Sequence, residues 1–158
     1  MPIASPTIAA AQVLVADDSV LVQRTISAIL RKHGHGGVLV SDGQAALDCL
    51  AQRPFDVVML DISMPKLDGL QALAAIRQHE QVHAPARRQR VIMVTGHAEP
   101  GDMEKLLRAG ADGYVAKPVQ PQAFLTELQR VLQLQARAGA GLPRPAPAAT
   151  VRSGPPCM

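Results

Sequence analysis

Short apolar runs alternate with longer amphipathic segments along most of this 158-residue chain, and this alternation restricts the fold more than any other feature. The runs are rich in Val, Ile, Leu and Met, as expected of strands buried on both faces of a parallel sheet. A segment with helical periodicity follows each run, which indicates successive βα units. The predicted strands span residues 13–16, 38–40, 57–60, 91–95 and 113–116.

Five helices are predicted to follow these strands. In the first helix, apolar residues from Leu21 to Leu30 recur at helical spacing, and Gly34 marks the end of the helix. The predicted helices span residues 19–32, 43–52, 67–78, 101–109 and 122–135. The sequence therefore predicts an α/β domain with a doubly wound, five-stranded parallel sheet and five helices.

The five βα units account for a single domain over residues 12–135, which leaves residues 1–11 as an N-terminal extension. Residues 136–158 are rich in Pro, Ala and Gly and hold little apolar bulk, so we expect a disordered tail. No apolar run is long enough to span a membrane, and the run near the N-terminus has no basic leader. A cytoplasmic protein is expected.

Composition argues against a nucleic-acid-binding protein despite the net charge of +3. Aromatic residues make up only 2% of the chain, so few rings are present to stack on bases. Much of the positive charge lies in Arg87, Arg88 and Arg90, interpreted as a solvated loop. Two cysteines make no disulfide framework, and Cys49 is predicted to be a small core residue.

Reactive side chains stand at the ends of four predicted strands. Asp17 and Asp18 follow the first strand, Asp61 follows the third, Thr95 ends the fourth and Lys117 follows the fifth. Ligands bind at the carboxyl ends of the strands in open parallel sheets, so these side chains are expected to converge on one cleft. Each has an ordinary alternative explanation, such as an aspartate that caps the first helix. Their coincidence favours a functional site.

The motifs around these residues resemble the bacterial two-component response-regulator receiver (CheY-like) family. The similarity rests on Asp17-Asp18, Asp61-Ile-Ser-Met-Pro, Thr95-Gly and Tyr114-Val-Ala-Lys117-Pro118, and it covers about residues 12–134. It implies the flavodoxin-like strand order 2-1-3-4-5. It also implies phosphorelay signalling, in which a histidine kinase or histidine phosphotransfer protein is the phosphoryl donor and a downstream protein is the target. Neither nucleic acid nor a membrane is expected as a partner.

The resemblance implies that Asp61 is the phosphoacceptor and that Asp17 and Asp18 hold Mg²⁺ together with Asp61 and the backbone carbonyl of Ser63. Elementary electrostatics leads to the same cofactor, because three clustered carboxylates repel one another unless a dication is bound among them. Mg²⁺ prefers such oxygen ligands. The chain is then expected to catalyse its own phosphorylation, with slow autophosphatase activity, and not to be an enzyme acting on other substrates.

The same resemblance implies that Thr95 and Lys117 contact the phosphoryl oxygens and that Tyr114 is the aromatic residue that turns inward on activation. The peptide bond between Lys117 and Pro118 is expected to be cis, as it usually is in the family. A stand-alone receiver is the first interpretation, and a receiver domain excised from a hybrid sensor kinase is the alternative.

Two enzyme interpretations are disfavoured. An aspartyl-nucleophile phosphatase or dehalogenase would carry Asp-x-Asp, whereas Ser63 stands two residues after Asp61. His79-Glu80-Gln81-Val82-His83 matches the zinc-protease pattern HExxH, but it falls where the third helix is predicted to end and lacks a third ligand at useful spacing. His33 and His35 are predicted to be ordinary surface residues at a helix end. A pseudo-receiver that only binds partners would be expected to lack one of the key side chains.

Overall fold

The computed structural model describes residues 10–83, 88–96 and 101–138. Five strands alternate with five helices in this part of the chain. The strands are β1 (Gln12–Ala16), β2 (Gly36–Val40), β3 (Val57–Asp61), β4 (Arg90–Thr95) and β5 (Gly113–Ala116). The helices are α1 (Val20–Lys32), α2 (Gly43–Gln52), α3 (Gly69–His83), α4 (Asp102–Arg108) and α5 (Pro121–Ala138).

All five strands are parallel and lie in the order β2-β1-β3-β4-β5, which confirms the predicted fold class. Successive strand residues point to opposite faces, so Leu14 and Ala16 lie in one core layer while Val13 and Val15 lie in the other. Apolar residues of α2, α3 and α4 cover the first face, and those of α1 and α5 cover the second. Cys49 is fully buried in the first layer, as predicted.

The α3 helix runs to His83 and not to the predicted end at residue 78. The apolar periodicity fades after Ile76, but polar contacts hold the last turns in place. Arg77 donates to Oε1 of Glu80 at 2.8 Å and to the carbonyl of Gln89 at 2.8 Å, and Oε2 of Glu80 accepts the N–H of Gln89 at 2.5 Å. The end of α3 was predicted too early because hydropathy does not report hydrogen bonds between side chains.

The arginines interpreted as a solvated loop are engaged in ion pairs where the structure describes them. Arg88 and Arg90 both pair with the carboxylate of Asp112, whose side chain is only 7% exposed. Arg77 joins the same carboxylate at 3.1 Å and also donates to the carbonyl of Gly110. We call Arg77, Arg88, Arg90 and Asp112 the arginine cluster. It ties α3 and β4 to the loop between α4 and β5. Arg87 lies outside the described residues.

His35 is not a surface residue, contrary to the prediction. Its side chain is buried, and its Nδ1 accepts the N–H of Ala11 at 3.1 Å, because the turn after α1 folds back against the start of β1. Burial lowers the pKa of His35, and the nearby His33 lowers it further. Gly34, with a φ of 79°, makes this turn possible.

The apolar stripe predicted for α1 is only partly buried. Ile26, Ile29 and Leu30 face the core, whereas Leu21 is 74% exposed. Val22 packs against the edge of the same core layer, so only part of the first turn of α1 faces solvent. At the other end of the domain, α5 continues to Ala138, past its predicted end at residue 135. Among the described residues, none of the five helices combines the length and the hydropathy of a membrane span.

Candidate functional site

The sheet order brings the predicted site residues to one edge. Asp61 and Thr95 are the last residues of β3 and β4, and Asp17 and Lys117 directly follow β1 and β5. These four strands are consecutive neighbours in the sheet, so their carboxyl ends lie side by side. The cleft forms at the position that the strand pattern predicted.

Three carboxylates form a cluster at the floor of this cleft. Asp17, Asp18 and Asp61 each contribute one oxygen, and these oxygens lie within 4.8 Å of one another. Asp17 and Asp61 are buried, while Asp18 is exposed. We call this group the acid cluster. Such a set of oxygens, open to solvent on one side, suits a hard dication that keeps several of its waters.

Lys117 supplies a positive charge to the acid cluster. Its Nζ donates to Oδ2 of Asp61 at 3.0 Å and lies 3.2 Å from Oδ2 of Asp17. Burial by itself lowers the pKa of Lys117, but the hydrogen bond to Asp61 and the charges of both carboxylates outweigh it and raise the pKa. The side chain therefore stays protonated at neutral pH. The Lys117–Pro118 peptide bond is cis, as the sequence motif predicted.

Asp17 is the most deeply buried carboxylate of the acid cluster. Burial raises its pKa, and the charge of Asp61 raises it further, against the lowering effects of the hydrogen bond from Ser19 and the charge of Lys117. Its Oδ2 accepts no hydrogen bond, although Lys117 lies 3.2 Å away. The buried oxygen therefore has capacity for a further ligand, which supports the fit of the acid cluster to Mg²⁺.

The loop after β1 shows that the aspartates do not simply cap α1. Ser19 is the N-cap, and its Oγ accepts the N–H of Val22 at 3.3 Å. Asp17 instead accepts the N–H of Ser19 through Oδ1 at 2.8 Å, which orients its carboxylate. The alternative explanation weighed for Asp17 and Asp18 from the sequence is thus not supported.

Gln23 contributes to the site and was missed in the sequence. Its Nε2 donates to the carbonyl of Asp17 at 2.6 Å and to the carbonyl of Val40 at 2.9 Å. The side chain therefore ties α1 to the ends of β1 and β2 and fixes the loop that carries the acidic pair. A lone glutamine inside an amphipathic helix gives no signal by which it could have been found.

The loop after β3 is held close to Asp61. Ser63 donates its backbone N–H to Oδ1 of Asp61 at 3.3 Å, and the N–H of Gly69 is bonded to the carbonyl of Ile62 at 3.1 Å. The side chain of Ser63 is exposed. Gly69 was also missed, since it was taken as an ordinary position within a helix predicted to begin at residue 67.

Thr95 and Tyr114 lie on the two neighbouring strands β4 and β5. Thr95 is buried, pairs with Ala116 in the register, and accepts the N–H of Lys117 through its carbonyl at 2.7 Å. Tyr114 is half-buried against the core layer that α2, α3 and α4 cover. In the register, Tyr114 lies opposite Met93, two residues before the strand end at which Thr95 pairs with Ala116.

The HExxH residues do not form a protease site. His79 and His83 lie on one face of α3, but Glu80 is bonded to Arg77 and Gln89 and is not directed toward a metal between them. Within the described residues, the acid cluster is the only group of three or more side chains placed to hold a metal ion. The histidine pair lies at the opposite end of α3 from Asp61.

A doubly wound sheet with an acid cluster and a lysine at adjacent strand ends defines a receiver-type signalling domain. The chain belongs to the response regulator receiver domain family, whose model matches residues 13–129. Members of this family act in two-component signalling and bind Mg²⁺ at an acidic pocket of this kind.

Individual relatives agree with the family assignment. The chain is 40% identical over 119 residues to hybrid signal transduction histidine kinase I of Dictyostelium discoideum, a match that covers 70% of the chain and 7% of that protein. It is 36% identical to the regulatory protein AtoC of Escherichia coli K12, over 78% of the chain and 26% of AtoC. The chain thus spans only a small share of the length of these relatives.

A solved structure has the same fold over nearly all of its own chain. The chemotaxis protein CheY4 of Vibrio cholerae superposes with a TM-score of 0.69 at 31% identity, and the match covers 78% of this chain and 99% of CheY4. The resemblance drawn from the sequence motifs is confirmed at the level of the family and of the fold.

Proposed function

We propose that this chain accepts a phosphoryl group on Asp61 from the phosphohistidine of a histidine kinase or phosphotransfer protein. The observation that carries the proposal is the contact between Oδ2 of Asp61 and Nζ of Lys117 at 3.0 Å, inside a cluster of three carboxylates. A lysine so placed can balance the charge of an incoming phosphoryl group while Asp61 supplies the attacking oxygen.

Asp61 is favoured over the other two carboxylates by its place in the sheet. It ends the central strand β3, so residues from β1 stand on one side of it and residues from β4 and β5 on the other. Asp17 is 1% exposed and uses one oxygen to hold the backbone of Ser19. Asp18 is exposed at the margin of the acid cluster. A phosphoryl group on Asp61 meets Lys117 and the Thr95 strand end together.

The transfer step forms one bond to phosphorus and breaks another. An oxygen of Asp61 forms a bond to phosphorus, the bond from phosphorus to the donor imidazole nitrogen breaks, and the electron pair stays on that nitrogen. In this proposal, Lys117 and the hydroxyl of Thr95 stabilise the phosphoryl oxygens. Asp17, Asp18, Asp61 and the backbone carbonyl of Ser63 would hold Mg²⁺, which would neutralise part of the negative charge of the phosphoryl group.

The assignment of Asp61 is tested with acetyl phosphate and Mg²⁺, read by intact mass. The native chain is expected to gain one phosphoryl group that is labile in acid, and Asp61→Asn is expected to gain none. Asp48→Asn, at an exposed aspartate of α2, is the matched control and should behave as the native chain. Phosphorylation of Asp61→Asn to the native extent would contradict the assignment.

The phosphorylated state is proposed to switch shape through Thr95 and Tyr114. A hydroxyl drawn toward the phosphoryl group leaves space for the half-buried ring of Tyr114 to turn inward. The face formed by α4, β5 and α5 then presents the signal to a downstream protein. Beryllofluoride with Mg²⁺ should move amide signals along that face, and shifts confined to the acid cluster would exclude this switch.

A second context for the same activity is a receiver domain within a hybrid sensor kinase. The 40% identity over 119 residues to a hybrid kinase supports this context, and the stand-alone receiver expected from the sequence is the other. An antibody against this domain, used on an extract of the source cells, distinguishes the two by the size of the native polypeptide.

A further inference from the structure

The last turns of α3 carry two histidines that the proposed function does not use. His79 and His83 are four residues apart, and their rings stack with centroids 4.1 Å apart and planes inclined by 13°. Both side chains are exposed. We propose that His79 and His83 chelate a late first-row divalent metal ion, at a site separate from the acid cluster.

The spacing of the two histidines suits a chelate. Residues four apart on a helix lie one above the other, with their Cβ atoms about 5 to 6 Å apart. Two imidazole nitrogens bound side by side to one metal ion, each at about 2.0 to 2.1 Å, lie about 3 Å apart. The observed stack, with ring centroids 4.1 Å apart, shows that the two side chains reach each other, and chelation requires the rings to turn from the stack until one nitrogen of each points at the same metal ion. Exposed side chains can make the remaining rotation without disturbing the core.

Among the described residues, the acidic side chain between the two histidines is engaged elsewhere. Glu80, which lies between them in sequence, is held on Arg77 and on the N–H of Gln89, so it does not pair with either histidine. That same contact keeps α3 helical through the histidine pair, beyond the point where its apolar periodicity ends. The helix therefore fixes the spacing of the ligands before a metal ion arrives.

The ligand chemistry selects a different ion from that of the acid cluster. Imidazole favours borderline ions such as Cu²⁺, Ni²⁺ and Zn²⁺, whereas carboxylate and carbonyl oxygens favour Mg²⁺. With two protein ligands, the remaining positions are left to water, which Ni²⁺ and Cu²⁺ accept in octahedral or tetragonal geometry. The expected order of affinity is Cu²⁺, then Ni²⁺, then Zn²⁺.

The two metal sites are well separated. The first residue of α3, Gly69, packs on Asp61, and the histidine pair lies in its last turns. At 1.5 Å per residue, the 15-residue helix spans roughly 20 Å between them. Saturating Mg²⁺ should therefore leave binding at the histidine pair unchanged.

Ni²⁺ titration of the full chain in excess Mg²⁺ tests the proposal, with calorimetry for affinity and NMR for position. Paramagnetic broadening is expected first at the amides around His79 and His83, with one Ni²⁺ bound. His79→Gln and His83→Gln should each weaken binding at least about tenfold. Because metal binds only the unprotonated ring, acidic pH should also weaken it.

His33→Gln is the matched control, since His33 is an exposed histidine at the end of another helix. It should bind Ni²⁺ like the native chain, and all three variants should take up phosphate on Asp61 normally, which shows that they are folded. Native affinity in His83→Gln, or broadening centred on the acid cluster or the chain termini, would overturn the proposal. If the native chain takes up no phosphate but binds Ni²⁺ at the histidine pair, the proposed function fails and the metal-site proposal stands.

Discussion

Gly69 packs directly on the backbone of Asp61. A Cβ at position 69 would stand 2.2 Å from the carbonyl oxygen of Asp61 and 3.0 Å from the Cα of Ile62. Neither neighbour is the flexible end of a side chain, so no rotation can relieve the contact. The start of α3 can therefore pack this closely on the end of β3 only because residue 69 has no side chain.

We expect Gly69→Ala to slow phosphorylation of Asp61 and to destabilise the fold by about 1 to 3 kcal/mol, as overpacking of a rigid site does. Either α3 or the loop bearing Asp61 must move. Gly96→Ala is the control, because a Cβ there meets nothing within 4 Å among the described residues. Urea unfolding and acetyl phosphate uptake measure the two effects. Equal behaviour of the two variants would show that the contact is unimportant.

Replacing Lys117 should separate metal binding from phosphoryl transfer. In Lys117→Gln, Mg²⁺ is expected to bind more tightly, because a cation 3.0 Å from Asp61 has been removed. Phosphorylation should nevertheless slow by about 100-fold, the usual effect of losing a group that stabilises developing charge. Calorimetry and intact mass report the two quantities. Lys66→Gln, at a lysine with 74% exposure, is the control. Weaker Mg²⁺ binding in Lys117→Gln would contradict this account.

The arginine cluster should contribute strongly to stability. Asp112→Ala leaves the guanidinium groups of Arg77 and Arg90 without their shared carboxylate, and removing one partner of a buried pair costs about 3 to 5 kcal/mol. The N–H of Val91 also loses its acceptor at 2.9 Å. Asp48→Ala on the exposed face of α2 should change the free energy of unfolding by less than about 0.5 kcal/mol. Similar unfolding midpoints for the two variants would be inconsistent with this role.

His35 should make stability depend on pH. Because its pKa is lowered in the folded state, the unfolded chain binds a proton first as the pH falls below about 6.5. Stability therefore decreases from there down to the folded-state pKa, by up to about 1.4 kcal/mol per pH unit, and the loss is constant below it. Urea unfolding between pH 5 and 8 measures the slope.

His35→Asn should remove most of that slope, whereas His33→Asn should retain most of it, because burial is the larger cause of the lowered pKa. The two histidines differ in exposure and lie in the same turn, so they form a matched pair. If His35→Asn keeps the native slope, another group is responsible.

Hydropathy and strand-end chemistry were enough to predict the sheet, the five helices and the edge at which the reactive side chains gather. They failed where polar side chains decide the structure. The extension of α3 depends on Glu80, and the burial of His35 depends on the N–H of Ala11. Gln23 and Gly69 act through backbone groups of Asp17 and Ile62. Such partners are distant in sequence or chemically ordinary, so no local pattern could reveal them.

The arginine cluster also restrains α4. The carbonyl of Gly110, just beyond the C-cap of α4, accepts hydrogen bonds from Arg77 and Arg88. The C-terminal end of α4 is therefore joined to α3 and to the segment that leads into β4. A displacement of α4 that carried Gly110 with it would have to break these contacts, so we expect this end of the helix to move least when the domain changes shape.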